Sequence, residues 1–212
     1  MTGSGRTRRS RAPKGEGERL RDQILAATER LLLHTGDESA VSIRGIAEAV
    51  GVTAPSIYLH FADKEELLQA VCQRRFGELD ARIEAEVRGI HDPVEALRRR
   101  AHAYIGFGVE HPEHYRILFM ARHGLRHTPT RGELEESAAD LGGFGHLISN
   151  VRACMEVGAF APADPLLVAT GLWTVVHGIT SLRITMPHFA MVGDDVLVDH
   201  VLEAVARGLA PR

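Results

Sequence analysis

Residues 42–60 read SIRGIAEAVGVTAPSIYLH, a pattern of two short helices about a glycine turn. Ser42 is placed to cap a short helix through Val50, and Gly51 suits the turn that follows. Thr53 can cap a second short helix, with Pro55 in its first turn, where a missing N–H costs little. Two short helices about such a turn make a helix-turn-helix arrangement. Ile46, Ala47, Val50, Val52 and Ile57 supply the apolar wedge that fixes the angle between them, and Ala47 is small because the second helix passes close. Thr53, Ala54, Ser56 and Tyr58 then point outward, where a major groove could receive the helix N-terminus.

The sequence on either side is helical as well. Upstream, Ile24, Leu25, Ala27, Thr28, Leu31 and Leu32 form one apolar stripe that Gly36 ends. Downstream, Asp63 with Glu66 reads as a capping-box variant opening a helix toward Arg88. Asp92-Pro93 starts a helix to about Glu110, and His111-Pro112 breaks it and opens a short one to about Ala121. Arg122 to Thr130 reads as a loop, and Thr130 with Glu133 opens a helix toward Gly158. Asp164-Pro165 begins an uncharged helix that Pro187 ends, and Asp194 begins a last one to about Gly208. About nine helices result, with no sustained period-two alternation and no internal repeat, so the fold class is all-α.

The 212 residues are 44% hydrophobic and 25% charged, the balance of a chain with a proper core. Residues 1–21 carry seven basic side chains against Glu16 and Glu18, a charge of +5. The formal total is −3, so residues 22–212 carry −8. A positive arm on an acidic body suits a polyanion at one end, with a solvated tail as the plainer reading. Two cysteines cannot build a disulfide framework, and the basic N-terminus lacks the apolar core of a secretory signal; a cytoplasmic protein is expected. Pro165 to Leu182 reaches the lower edge of spanning length without a formal charge. Its threonines, Ser181, His177 and glycines make burial among other helices the better expectation, with no membrane contact.

The run Ile43-Arg44-Gly45-Ile46-Ala47, then Gly51-Val52, then Ser56-Ile57-Tyr58-Leu59-His60-Phe61, followed by Lys64-Glu65-Glu66-Leu67-Leu68, resembles the tetracycline-repressor family of one-component regulators. Ile24-Leu25-Ala26-Ala27 ahead of it is typical too. The resemblance is strongest over residues 20–70. Trp173, His177 and Gly178 further resemble the Trp–His–Gly signature of one C-terminal subgroup. What it implies is a homodimeric, ligand-responsive repressor of double-stranded operator DNA, with activation or metal or redox sensing as alternatives within the fold; a helical enzyme with incidental DNA affinity is the alternative outside that class. The implied organisation is a basic arm without fixed structure over 1–17, a three-helix DNA-binding head over 18–64 and a larger ligand-binding and dimerisation body over 65–212. The helix from Lys64 to Arg88, joining the two, is the implied lever.

Carried over by position, Arg44 would reach phosphate or a base edge, and Thr53, Ala54 and Ser56 would face bases, the Ala54 methyl suiting a thymine methyl. Tyr58, His60 and Lys64 would hold phosphates, and the Pro55 ring could touch a base or sugar. A Thr53 hydroxyl committed to capping would be less free to read bases. Phe61 is expected in the core.

In the body, Tyr104, Phe107, Tyr115 and Phe119 cluster about the Pro112 break, with Phe144 and Trp173 later. With His123 and His177 they are the candidate lining of an apolar ligand chamber, and plain core is the competing reading. His102 and His146 are further polar candidates. Dimerisation is expected through 165–186 and 194–208, whose apolar residues (Leu167, Trp173, Val176, Ile179, Leu182; Val196, Leu197, Val201, Leu202, Val205) exceed what one body needs to bury. Gly171 and Gly178 would allow close helix approach there.

Enzyme chemistry finds no support. The phosphate-loop, serine-elbow and HExxH motifs are missing from the sequence, and the Gly-Gly-Phe-Gly run at 142–145 lacks a strand before it and a lysine after it. Cys72 and Cys154 sit in apolar helical surroundings unlike those of thiolate nucleophiles. The pairs His111/His114 and His123/His127 have ligand-like spacing but no convincing partner, so neither a structural metal nor a cofactor is expected.

Overall fold

The computed structural model describes residues 15–120, 143–188 and 194–211. Local capping chemistry sets most helix boundaries. Helix α1 runs Glu16–Thr35 and stops at Gly36, whose left-handed φ of 63° lets its N–H reach the Leu32 carbonyl. A 3₁₀ turn, Glu38–Ala40, follows, with Asp37 accepting from the Ser39 N–H at 2.8 Å. Helix α2 (Ile43–Val50) begins with the Ser42 hydroxyl accepting from the Gly45 N–H at 3.1 Å and ends at Gly51, φ 78°. Helix α3 is the single turn Ala54–Ile57, and α4 runs Lys64–Val87. Ahead of α4 Asp63 caps the helix as expected, but the reciprocal bond of the box is displaced by one residue. Asp63 accepts from the Glu66 N–H at 2.7 Å, and the Glu66 carboxylate accepts from the Ala62 N–H.

Helix α5 (Pro93–Glu110) is capped by Asp92, and α6 (Pro112–Met120) follows the His111 break. The described part of the helix expected to reach Gly158 is α7 (Gly143–Glu156). Helix α8 (Pro165–Thr185) is capped by Asp164, and α9 spans Asp194–Leu209. Nine α-helices and no strand occur among the described residues. The expected loop at 122–130, the Thr130–Glu133 cap, Gly142, His123 and His127 lie outside them.

The chain divides into two compact units, Met1–Val71 and Cys72–Arg212, with α4 contributing to both. The first is built about Ile24, Leu25, Ile46, Ala47, Ile57, Phe61 and Leu67, all buried. Of the wedge read from residues 42–60, Ile46, Ala47 and Ile57 are in this core while Val50 and Val52 are half-buried, and Phe61 is interior as expected. In the second unit, Leu79 and Ile83 of α4 meet Tyr104, Ile105 and Phe107 of α5, Tyr115 and Leu118 of α6, Val176 of α8 and Val198 of α9. A second cluster joins Ile148, Val151 and Cys154 of α7 to Phe160 and to Val168, Ala169 and Leu172 of α8.

Two expectations about α8 and α9 need correcting. Val176 is interior, and Trp173, Ile179, Leu202 and Val205 are half-buried against the same unit's core, so Val176 offers no spare surface and the other four offer only part of theirs. Nor is α8 buried all round. It is long and apolar enough to cross a membrane by composition, yet only 22% of its most apolar window is buried. The uncovered face is Leu167, Gly171, Thr174, Gly178 and Leu182, and Val196 on α9 is exposed too.

Candidate functional site

The first candidate surface is built on α2, Gly51 and α3. Thr53 precedes α3 with extended backbone, but its hydroxyl makes no capping bond. It pairs instead with the Ser56 hydroxyl at 3.0 Å, so two hydroxyls stand together on the exposed start of α3, free of the backbone. The expected competition between capping and outward contact at Thr53 is therefore absent. Pro55 and Arg44 are exposed, and Ala54 is half-buried. Tyr58 is 53% exposed and Leu59 83%, an unusual outward placement for a leucine. His60 is half-buried near Gly17 of α1, where an added Cβ would meet its Cε1 at 3.9 Å. Behind it, the Arg21 guanidinium lies over the Phe61 ring at 5.0 Å, a cation–π contact.

Lys64 departs most from a free surface cation. Its Nζ donates to the Glu38 carbonyl of the 3₁₀ turn. Nearby, bonds from the Ser39 hydroxyl and N–H, with a smaller contribution from the Lys64 charge, hold the Asp37 carboxyl below its ordinary value. An ammonium has three N–H donors, so the bond to Glu38 leaves others for an anion. The tie itself was not legible, because its acceptor is a backbone carbonyl oxygen.

The second candidate is the aromatic centre of the Cys72–Arg212 unit. Tyr115 packs tilted against Phe119 at 4.8 Å between centroids; Phe119 also meets His177 at 5.0 Å and Phe76 at 5.4 Å, edge to face. Trp173 packs on His177 at 5.4 Å and on Phe144 at 5.8 Å. Within these rings sits one polar node. The Tyr115 and Tyr104 hydroxyls lie 2.7 Å and 3.0 Å from His177 Nδ1, and Trp173 Nε1–H donates to the Tyr104 oxygen at 3.3 Å. A neutral ring nitrogen offers a single lone pair, so the two phenols cannot both donate to it. Tyr115 has a second acceptor in the His177 carbonyl, 3.2 Å away.

Burial fixes the charge state of the node. It lowers the His177 pKa, raises that of Tyr115 to about 12 and pushes Tyr104 up further, so all three are neutral near pH 7. Six of the expected lining residues (Tyr104, Tyr115, Phe119, Phe144, Trp173 and His177) thus join one network. Phe107 belongs to the same core but stacks on His111 at 5.4 Å. His123 lies outside the described residues. His102 is elsewhere, 2.8 Å from Asp199, and His146 faces Asp80 and Glu84.

An N-terminal helix-turn-helix unit followed by a helical unit with a neutral aromatic centre defines an all-helical helix-turn-helix protein. Residues 24–71 match the model of the bacterial regulatory proteins of the tetR family, and residues 97–209 match that of the tetracyclin repressor-like C-terminal domain. The chain belongs to the tetracycline-repressor family.

Its relatives include the HTH-type transcriptional activator FasR of Mycolicibacterium smegmatis, 31% identical over 115 residues, 54% of this chain and 51% of that protein. Another is the HTH-type transcriptional regulator AcrR of Shigella flexneri, 36% identical over 92 residues, 42% of this chain and 41% of that protein. The matches to these two thus span about half the length of each relative or less. A structure of a protein of unknown function from Rhodococcus sp. RHA1 superposes with a TM-score of 0.72 at 25% identity, covering 91% of this chain and 96% of that one.

Proposed function

We propose that the protein is a cytoplasmic, homodimeric transcriptional regulator, a repressor that leaves its operator when a small, largely apolar molecule enters the second unit. The observation that carries this reading is the exposed face at the start of α3. The Thr53 and Ser56 hydroxyls are free of capping duty there, and Tyr58 stands outward beside them. A recognition helix presents such short polar groups at its N-terminal end. Ala54, Pro55 and Arg44 complete the base- and backbone-facing set, and His60 and Lys64 flank it as phosphate ligands.

Dimerisation brings two such heads to half-sites about 34–36 Å apart, one turn of DNA. The uncovered stripe of α8 is the surface that serves it. Gly171 and Gly178 have nothing within 4 Å of an added Cβ, so a second helix can approach closely between Leu167 and Leu182. The Tyr104–Tyr115–His177 node is the polar end of the chamber. Being neutral, it favours an uncharged hydrogen-bonding group on an otherwise apolar ligand. α4 runs through both units and is the connecting lever. Release needs a ligand whose affinity differs between the two conformations.

Activation is the second reading, favoured by the name of FasR, a transcriptional activator. Sequence selection from a pool of random duplexes tests the shared core of both readings. Enrichment of a two-fold symmetric site with half-sites about one turn apart is expected. Recovery of unrelated sequences after several rounds contradicts it.

A further inference from the structure

The Cys72–Arg212 unit holds a second polar constellation, away from the aromatic centre. Asp80 and Glu84 lie one turn apart on α4, and His146 of α7 faces both. Its Nδ1 is 3.0 Å from Asp80 Oδ1 and 3.2 Å from Glu84 Oε1. The three ligand atoms lie within 4.8 Å of one another, and all three residues are half-buried. We propose that Asp80, Glu84 and His146 form a binding site for a divalent transition cation of the zinc or manganese class.

Spacing, donor type and support each argue for it. Bonds of about 2.1 Å to nitrogen and carboxylate oxygen put neighbouring ligand atoms about 3.0 Å apart in an octahedral shell and about 3.4 Å in a tetrahedral one. The two imidazole–carboxylate distances fall in that interval. One imidazole with two carboxylates suits zinc, manganese or iron(II) better than calcium or magnesium, which prefer all-oxygen shells.

The ligands are also held from behind, as metal ligands require. The Arg100 guanidinium of α5 binds Glu84 Oε1 and donates through Nε to Asn150 Oδ1 at 3.0 Å. The Asn150 amide in turn donates to the Pro93 carbonyl at 2.8 Å. A carboxylate oxygen has two lone pairs, so Glu84 Oε1 can serve the guanidinium and a cation together. Around Asp80, Gly143 leaves room: an added Cβ there would lie 3.1 Å from Oδ1. Among the described residues, the charged groups bonded into the cluster are the two carboxylates and Arg100. Their formal sum is −1, a net attraction for a dication.

The site ties α4 to α7, so a bound cation braces the helix that continues into the first unit. The test uses the full chain, stripped with a chelator and desalted, then titrated calorimetrically with zinc chloride or manganese chloride alone, with thermal unfolding in parallel. One saturable equivalent per chain and a raised unfolding temperature are expected. Asp80→Asn and Glu84→Gln each lower the affinity at least tenfold while circular dichroism stays unchanged. A His111→Gln, His114→Gln double variant, which removes the other His–carboxylate group among the described residues (His111, Glu113, His114), binds like the parent. A hydrogen-bonded cluster without a cation has the same spacings and predicts no saturable binding. That result, undiminished binding in both carboxamide variants, or loss only in the His111/His114 variant overturns the proposal.

Discussion

Gly108 on α5 faces Thr180 on α8 so closely that a Cβ on the glycine would lie 2.2 Å from the threonine Cγ2. Alanine is the better helix former by about 1 kcal/mol, so on an open helix face Gly108→Ala would stabilise. Here the clash decides, because Thr180 is fully buried and the Tyr115 ring lies 3.0 Å away on the same side. We expect Gly108→Ala to destabilise by about 1–3 kcal/mol in urea unfolding. Adding Thr180→Ser, which removes Cγ2, restores part of the loss. An equally unstable double variant would show that the contact is not the cause.

The neutral node gives a pH signature with a definite sign. Burial lowers the His177 pKa below the ordinary value of 6.5, whereas in the unfolded chain the ring titrates near that value. On acidification through that window the unfolded state takes up a proton that the folded state refuses. Stability therefore falls as pH drops below about 6.5, and the loss levels off below the folded pKa. His177→Gln removes this contribution and leaves those of the other histidines. The difference in unfolding temperature between parent and variant, measured from pH 7.5 to 5.5, should change in the variant's favour.

Lys64 combines an internal bond with a proposed phosphate contact. Lys64→Met keeps the apolar stem and loses the donor to Glu38, which should lower the stability of the first unit by about 1 kcal/mol. It should also reduce the slope of log affinity against log salt by about 1, the share of one phosphate. A stability loss with an unchanged slope would make Lys64 purely structural.

The glycine face of α8 can be tested without disturbing the protomer. Nothing lies within 4 Å of an added Cβ at Gly171 or Gly178. Gly171→Glu with Gly178→Glu should leave the helical content unchanged and weaken self-association at least tenfold in sedimentation velocity. An unaltered dimer places the interface elsewhere.

Features that depend on neighbouring residues were legible. Ser42, Asp63, Asp92 and Asp164 all cap as their spacing implies, and Gly36 and Gly51 end helices in the left-handed region. The wedge about Ile46 and Ile57 was legible because each α2 and α3 position has one clear role. α8 was not, because a helix apolar all round has no phase to separate inner from outer faces. Val176 therefore read as spare surface although it is packed inside, and Ile179 although it is half-buried against the same core. The aromatic residues could be named as a set, but a hydrogen bond joining Tyr104, Tyr115 and His177 needs three helices in place. Asp80 and His146, 66 positions apart, give no sequence signal beyond the i, i+4 carboxylates of α4. The Thr53–Ser56 hydroxyl pair shows where capping rules mislead, since each side chain finds the other before the backbone.

The central claim is that the face at the start of α3 reads DNA. Its most direct test is binding of the full chain to a labelled duplex covering the region upstream of its own coding sequence, in excess random competitor and across a salt series. Binding that survives competitor is expected, with a loss of at least tenfold in Tyr58→Ala, whose exposed ring can be removed without opening the core. Weak binding that competitor abolishes, equal in parent and Tyr58→Ala, would contradict it.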